Sequence, residues 1–379
     1  MGMDSISIPD FPFASPLAES VVKLERLRTQ LKTSQGDEHP LHDELRKLFS
    51  HLSSLLSARI EGNRTTVIDS LTAAAKGNPS ADDGVQEILN LEAASRFIDS
   101  TVDQDFVFTE HFIRSLHSLA VDGLHREGDQ NPGGYRSTYV SISQSHHMPP
   151  GPESIPADMH QLVKFIHQGV LPQNQLLQTA IAHHRFVWIH PFSNGNGRVA
   201  RLLTYAMLVK QGFTSVSGYR ALNPTIVFGA DRNSYYERLS QADSLLDADI
   251  ISWCQYVLQG LEQDLEHIIH LSDESKVLND IYAPALERSY QSGFLTNTQV
   301  AVLLRVAEIG IAKAGDLTDL VPGSAASRSQ FLAKLVDENL LSKPEGTRKY
   351  RVSVIGSPIA IYVVRRLDEL KMLPEILND

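Results

Sequence analysis

Cysteine is nearly absent from these 379 residues: Cys254 is the only one. A lone thiol excludes a disulfide framework within the chain and fits a reducing compartment. No apolar run approaches the roughly 20 residues of a membrane helix. The start, Met1-Gly2-Met3-Asp4, lacks the basic-then-apolar pattern of a secretion signal. The expectation is therefore no membrane partner and a cytoplasmic location. Positive charge is in deficit too, with 45 acidic against 34 basic residues and a net charge of −11. That balance excludes general nucleic-acid affinity over the whole surface and leaves room only for a local basic face. Neither an internal repeat nor a low-complexity segment is present, so a repeat architecture is excluded.

What is there is a long helical pattern. The chain exceeds what one core usually supports, so two or three domains are expected. Leu17, Val21, Leu24, Leu27 and Leu31 fall at helical spacing, a polar stretch runs from Thr33 to His39, and Leu45, Leu48, Leu52, Leu56 and Ile60 give a second helix a buried stripe. Breaks in the pattern place an N-terminal helical region at 1–102, a central domain with the long helices after it at 103–290, and a C-terminal unit at 291–379.

The most informative stretch is His190-Pro191-Phe192-Ser193-Asn194-Gly195-Asn196-Gly197-Arg198-Val199-Ala200-Arg201. Apolar helical spacing from Leu176 to Ile189 leads into it and resumes at Val199, Leu202, Leu203 and Ala206, so the stretch joins two packed helices. Gly195 and Gly197 are expected to take positive φ and bring backbone N–H groups to an anion at the N-terminus of the second helix. Arg198 and Arg201, three apart on its first turn, both reach a triphosphate held there. His190 is placed to act as a general base near neutral pH. His183, His184 and His190 stand at no recognised ligand spacing, so no zinc site is expected.

This segment resembles the Fic family, whose signature reads His-Pro-Phe-x-Asp/Glu-Gly-Asn-Gly-Arg-x-x-Arg, and it departs from that signature at one fixed position. The resemblance implies a mainly α fold, a Fic helical bundle with a short β-hairpin flap. It also implies transfer of AMP from ATP, with Mg²⁺ on the phosphates, to a Ser, Thr or Tyr hydroxyl of a protein target. His190 would deprotonate that hydroxyl, Asn196 and the glycine turn would hold the phosphates, Arg198 and Arg201 would bind the β- and γ-phosphates, and Phe192 would anchor the loop. The departure is Asn194, where the family usually has the carboxylate that binds the metal. A neutral amide offers one weaker oxygen to a hard cation, which leaves open both slower chemistry and another transferred group.

Further stretches extend the resemblance. Ser57-Ala58-Arg59-Ile60-Glu61-Gly62 is similar to the family's inhibitory motif, which implies that Glu61 pairs with Arg201 and blocks the γ-phosphate position; on the residues alone it reads equally as a helix end closed by Gly62. Gly133 to Ile142 alternates in strand fashion and resembles the family's flap, with Tyr135, Arg136, Val140 and Ile142 as candidate contacts for a target segment added as an extra strand; a surface hairpin is the alternative. Phe108 to His117 resembles the helix before the flap, where His117 reads as structural. Asp231 to Leu239 resembles the helix that closes the nucleotide pocket, and of the neighbours Tyr235 and Tyr236 at most one lines the adenine site.

From Leu295 the pattern changes. Asn297 is expected to cap a helix, a short helix spans Ala314 to Leu320, a third runs Ala325 to Asn339, and Leu340 to Ser342 with Tyr350 to Ser353 make a two-stranded wing. The order resembles the C-terminal winged helix-turn-helix domain of many bacterial Fic proteins. Arg328, Lys334, Lys343, Arg348, Lys349 and Arg351 stand against Asp337, Glu338 and Glu345, a modest excess that permits DNA contact as readily as target docking or a homodimer. Two functions follow. One is an autoinhibited protein adenylyltransferase acting on a protein target and on itself. The other is a DNA-binding transcriptional regulator using the same site as a nucleotide sensor.

Overall fold

Helical spacing in the sequence becomes helix nearly everywhere in the computed structural model of the chain, which describes residues 6–33, 39–76, 82–142, 147–213, 224–271 and 273–377. In order these are α1 (Pro16–Thr33), α2 (Pro40–Ile60), α3 (Val67–Lys76), α4 (Asp83–Thr101), α5 (Glu110–Ala120), α6 (Ile155–His167), α7 (Gln175–Ile189), α8 (Asn196–Lys210), α9 (Pro224–Ala230), α10 (Arg232–Ala242), α11 (Asp247–Leu271), α12 (Glu274–Lys276), α13 (Ala283–Gln291), α14 (Asn297–Ile309), α15 (Ala325–Asp337) and α16 (Ala360–Glu369). The chain is mainly helical, as the sequence predicts.

The leucine stripes do the packing. Leu17, Val21, Leu24, Leu27 and Leu31 are buried where α1 runs along α11, and Leu45, Leu48, Leu52, Leu56 and Ile60 are buried where α2 lies against α4 and α9. At the centre, α7 packs on α8, with α6 and α11 on its other sides. Trp253 of α11 is fully buried there, donates its indole N–H to the Ala180 carbonyl at 2.7 Å, and lies beside the rings of His183, Phe228 and Tyr235.

Several expectations need correction. The long helices expected up to residue 290 are α11, the short α12, a π-helical turn, Val277–Tyr282, and α13. Residues 133–142 form no strand, so the expected hairpin is absent from the described residues; His146, named with it, lies outside them. The physical reason is that its backbone bonds elsewhere. The Gly133 N–H donates to His117 Nδ1, and the Arg136 N–H to the Pro191 carbonyl.

In the C-terminal unit the cap of α14 is Thr296, not Asn297. The Thr296 hydroxyl accepts from the Gln299 N–H, and the Gln299 side chain accepts from the Thr296 N–H in return. The helix expected over Ala314 to Leu320 is a single 3₁₀ turn, Ala314–Leu317. The expected two-stranded wing has a third strand: β1 (Ala312–Lys313), β2 (Leu341–Ser342) and β3 (Lys349–Val352) form an antiparallel sheet in the order β1-β3-β2, with Ala312 opposite Tyr350 and Leu341 opposite Val352.

Because Trp253 joins α11 to α7 through packing and a hydrogen bond, Trp253→Ala should lower stability by about 3–5 kcal/mol. Denaturant unfolding followed by circular dichroism would measure it, and a loss under about 1 kcal/mol would mean that the two helices are held together elsewhere.

Candidate active site

Two left-handed residues shape the turn between α7 and α8. His190 ends α7 with φ 50° and ψ 60°, and Gly195 starts α8 with φ 75°. Between them Phe192 is fully buried, its ring stacked on His117 with centroids 3.8 Å apart. The same imidazole accepts from the Gly133 N–H (2.8 Å) and donates from Nε2 to the Asn194 carbonyl (3.2 Å). These partners assign its tautomer, and burial pulls its pKa down to about 4 despite nearby Asp129. His117 is thus the structural residue expected. The Asn196 side chain closes the turn by accepting from the Phe192 N–H at 2.9 Å and donating to the Phe192 carbonyl at 2.8 Å. Its amide holds the loop's backbone, and the loop's N–H groups are what it presents.

His190 is half-buried. Its Nδ1 donates to the Val187 carbonyl (3.3 Å), which leaves Nε2 as the unprotonated nitrogen. Burial pulls its pKa down to about 4; the Val187 carbonyl and Glu61 oppose this, while Arg136 and His147 add to it. The ring is therefore neutral at physiological pH and able to accept a proton.

The first two turns of α8 carry both arginines, and both are buried, at 1% and 2% exposure for Arg198 and Arg201. Arg201 is held by the end of α2. Its Nε donates to the Ser57 hydroxyl (2.9 Å), and its Nη2 donates to the Ser57 carbonyl (3.0 Å) and to Glu61 Oε1 (2.7 Å). Burial pushes the Glu61 carboxyl up, but Arg201, with Arg198 and His190 behind it, prevails and holds it below the usual range. Glu61 stands over the start of α8: a Cβ on Gly197 would meet Glu61 Oε1 at 2.1 Å. Gly197 is helical and does not take the positive φ expected of it, so it is a glycine for want of space. No side-chain hydrogen bond caps α8, and the Glu61 carboxylate lies beside Gly197 near the positive end of its dipole.

Arg198 turns the other way. Its Nη1 lies 2.9 Å from Glu87 Oε1 on α4, and its Nη2 donates to the Glu127 carbonyl at 2.7 Å. The Asn63 side chain, two residues past Glu61, donates to Glu87 Oε2 at 2.8 Å, which links the two arginine sites. Sequence reading missed Glu87 and Asn63. No periodicity marks them, and only the crossing of α4 over α8 brings Glu87 to Arg198.

The structure separates the tyrosines. Tyr235 is buried with its hydroxyl 2.9 Å from His183 Nε2, while Tyr236 is 39% exposed and reaches toward the Ile60 carbonyl (3.4 Å), beside Glu61. Of the flap candidates, Tyr135 packs on Phe192 and bonds Glu110, Val140 and Ile142 are half-buried, and Arg136 is buried among backbone carbonyls. The Asn194 Oδ1 accepts from the Gly195 N–H at 2.7 Å. Among the described residues no group of three or more His, Cys, Asp or Glu side chains is placed to hold a metal ion. Asn194 thus brings one neutral oxygen, already hydrogen-bonded, and a hard cation prefers charged ones.

Comparison with known proteins agrees with this geometry. Residues 107–208 match the Fic/DOC family model. The protein adenylyltransferase Fic of Nematostella vectensis is 29% identical over 266 residues, 65% of this chain and 55% of that protein. That of Drosophila melanogaster is 28% identical over 267 residues, 66% of this chain and 49% of that protein. The chain thus spans about half the length of these curated relatives. Among solved structures, a Fic family protein of Desulfovibrio desulfuricans G20 aligns with a TM-score of 0.56 at 20% identity, covering 92% of this chain and 98% of that one. A Fic domain containing signaling protein of Bacteroides thetaiotaomicron aligns with a TM-score of 0.53 at 22% identity, covering 68% and 97%. Residues 107–208 thus match the Fic/DOC family, and the chain shares its fold with solved Fic proteins.

Proposed function

We propose that this chain is a protein adenylyltransferase held in an inhibited state by Glu61. The observation that carries the reading is the Glu61 carboxylate, 2.7 Å from Arg201 Nη2 and seated over Gly197, where the N-terminus of α8 is built to take an anion. Relatives named protein adenylyltransferase Fic support AMP as the group transferred and ATP as its source.

In the reaction, the target hydroxyl oxygen attacks the α-phosphorus, the bond from that phosphorus to the bridging oxygen breaks, pyrophosphate leaves, and the hydroxyl proton passes to Nε2 of His190. The chain's residues hold the parts. Gly195, Gly197 and the α8 amides cradle the phosphates, Arg201 binds the γ-phosphate once Glu61 withdraws, and Tyr236, at the rim beside Glu61, closes the nucleotide side. Tyr235 supports that wall from the core. Arg198 requires release from Glu87 before it can reach a phosphate. The target's Ser, Thr or Tyr segment lies along residues 137–142. Mg²⁺ would be held by the nucleotide's phosphate oxygens with Asn194 offering one neutral oxygen, and would supply positive charge against the phosphates.

We also infer that the C-terminal unit, with its three-stranded sheet and helices α14 and α15, is a winged helix. Exposed Arg348 and Lys349 on its wing suit a phosphate backbone, but Arg328 at the front of α15 turns back onto the Gly323 carbonyl at 2.8 Å. That local engagement favours docking over the reading of the chain as a DNA-binding regulator.

Incubation with ATP labelled at its α-phosphate tests the whole reading. Glu61→Gly should raise covalent self-labelling, since ATP supplies a replacement anion for Arg201, and Arg201→Ala should abolish labelling with or without Glu61. No gain from Glu61→Gly would reduce Ser57 to Gly62 to a helix end, and no label from any variant would leave a nucleotide sensor. In the Glu61→Gly chain, His190→Ala should lower the rate by about 10²–10⁴-fold while ATP binding persists; equal rates would remove His190 from the role of base. Asn194→Asp should lower the Mg²⁺ concentration needed for half-maximal labelling by adding a charged oxygen, and an unchanged metal dependence would show that residue 194 does not face the ion.

A further inference from the structure

We propose that Arg136 is a positioning residue for the catalytic turn: its buried guanidinium clamps the carbonyls at the end of α7 and so fixes where His190 points. The inference rests on the reading of His190 as the base. The sequence placed Arg136 among target contacts, but it is only 4% exposed and its donors are taken. Nε donates to the His190 carbonyl (2.7 Å), Nη2 to the carbonyls of Pro150 (2.6 Å) and Ile189 (3.4 Å), and Nη1 to that of Thr138 (2.9 Å). Its own backbone N–H donates to the Pro191 carbonyl at 2.9 Å. Three consecutive residues of the turn, Ile189 to Pro191, are therefore bonded to this one arginine.

Two physical features make the arrangement specific. The last carbonyls of α7 have no partner within their helix and form the negative end of its dipole, so a cation there is stabilised without any carboxylate in contact. His190 is a non-glycine residue in left-handed backbone, a conformation that persists only where surroundings over-determine it. A planar fork of five N–H donors does this across three segments at once, and an ammonium does not. Arg136 also faces the imidazole itself, together with Glu61 from the end of α2 and His147 from the segment before α6, and its positive charge disfavours the protonated ring.

The experiment uses the full chain carrying Glu61→Gly. Against it, Arg136→Lys should lower kcat for labelling by about 10–10²-fold, the scale of a reacting group displaced by about an ångström, with KM for ATP changed less than about 2-fold. Arg136→Ala should go further and move the acid limb of the rate profile to higher pH, because a cation beside the base is gone. Amide exchange reads the same clamp without turnover: in Arg136→Lys, the amides of His190 and Phe192 should exchange at least about 10-fold faster, while α11 keeps its protection. A kcat within about 2-fold of the parent with unchanged exchange overturns the clamp. If the Glu61→Gly chain itself never labels, the adenylyltransferase reading fails, and exchange alone then decides for or against Arg136.

Discussion

A guanidinium with 2% exposure needs oxygens in place of the water it has lost, and the structure is arranged around that need at Arg201. Arg201 lies on the second turn of α8, deep between α2, α4 and α9, so the compensating oxygens come from whichever helix end reaches it. The end of α2 does, with a hydroxyl, a carbonyl and a carboxylate from one turn of sequence. For α2 to deliver them, its stripe from Leu45 to Ile60 must be buried in register. The N-terminal leucines therefore matter to the chemistry without touching it. The proposed inhibition is a by-product of satisfying a buried charge, with a segment that a nucleotide's phosphate can replace.

The same logic recurs around the turn. His117, Asn196 and Arg136 each place polar atoms on backbone groups of residues 189–194, and each removes a freedom from the loop. Little is left free except what faces the ligand position: the Nε2 of His190 and the leading amides of α8. Rigid support of this kind is what lets a site act on a charge that develops only during reaction. Glu87 and Asn63 extend the network to Arg198, so the two arginines are coupled through the short segment after Glu61.

Much of this was legible in the sequence, because the informative signals were local. Apolar spacing located α1, α2, α7 and α8, and twelve consecutive residues carried the turn with its histidine, its glycines and its arginines. What was illegible depends on distance along the chain. Glu87 sits in an ordinary amphipathic helix, and nothing near it announces a partner on α8. Arg136 read as a target contact because alternation in residues 133–142 mimics a strand; that backbone bonds α5 and the signature turn instead, which a pattern of period two cannot reveal. Tyr235 and Tyr236 are adjacent, and only the direction of α10 sorts one into the core and the other to the rim.

Gly197 carries a consequence of its own. The space above it holds a carboxylate oxygen now and, in the proposed reaction, a phosphate oxygen later. One absent methyl group would thus serve two mutually exclusive occupants, and a Cβ there would force the carboxylate to move. Under the proposed reading, restraint and reactivity share one small space, and a change at this position would touch both.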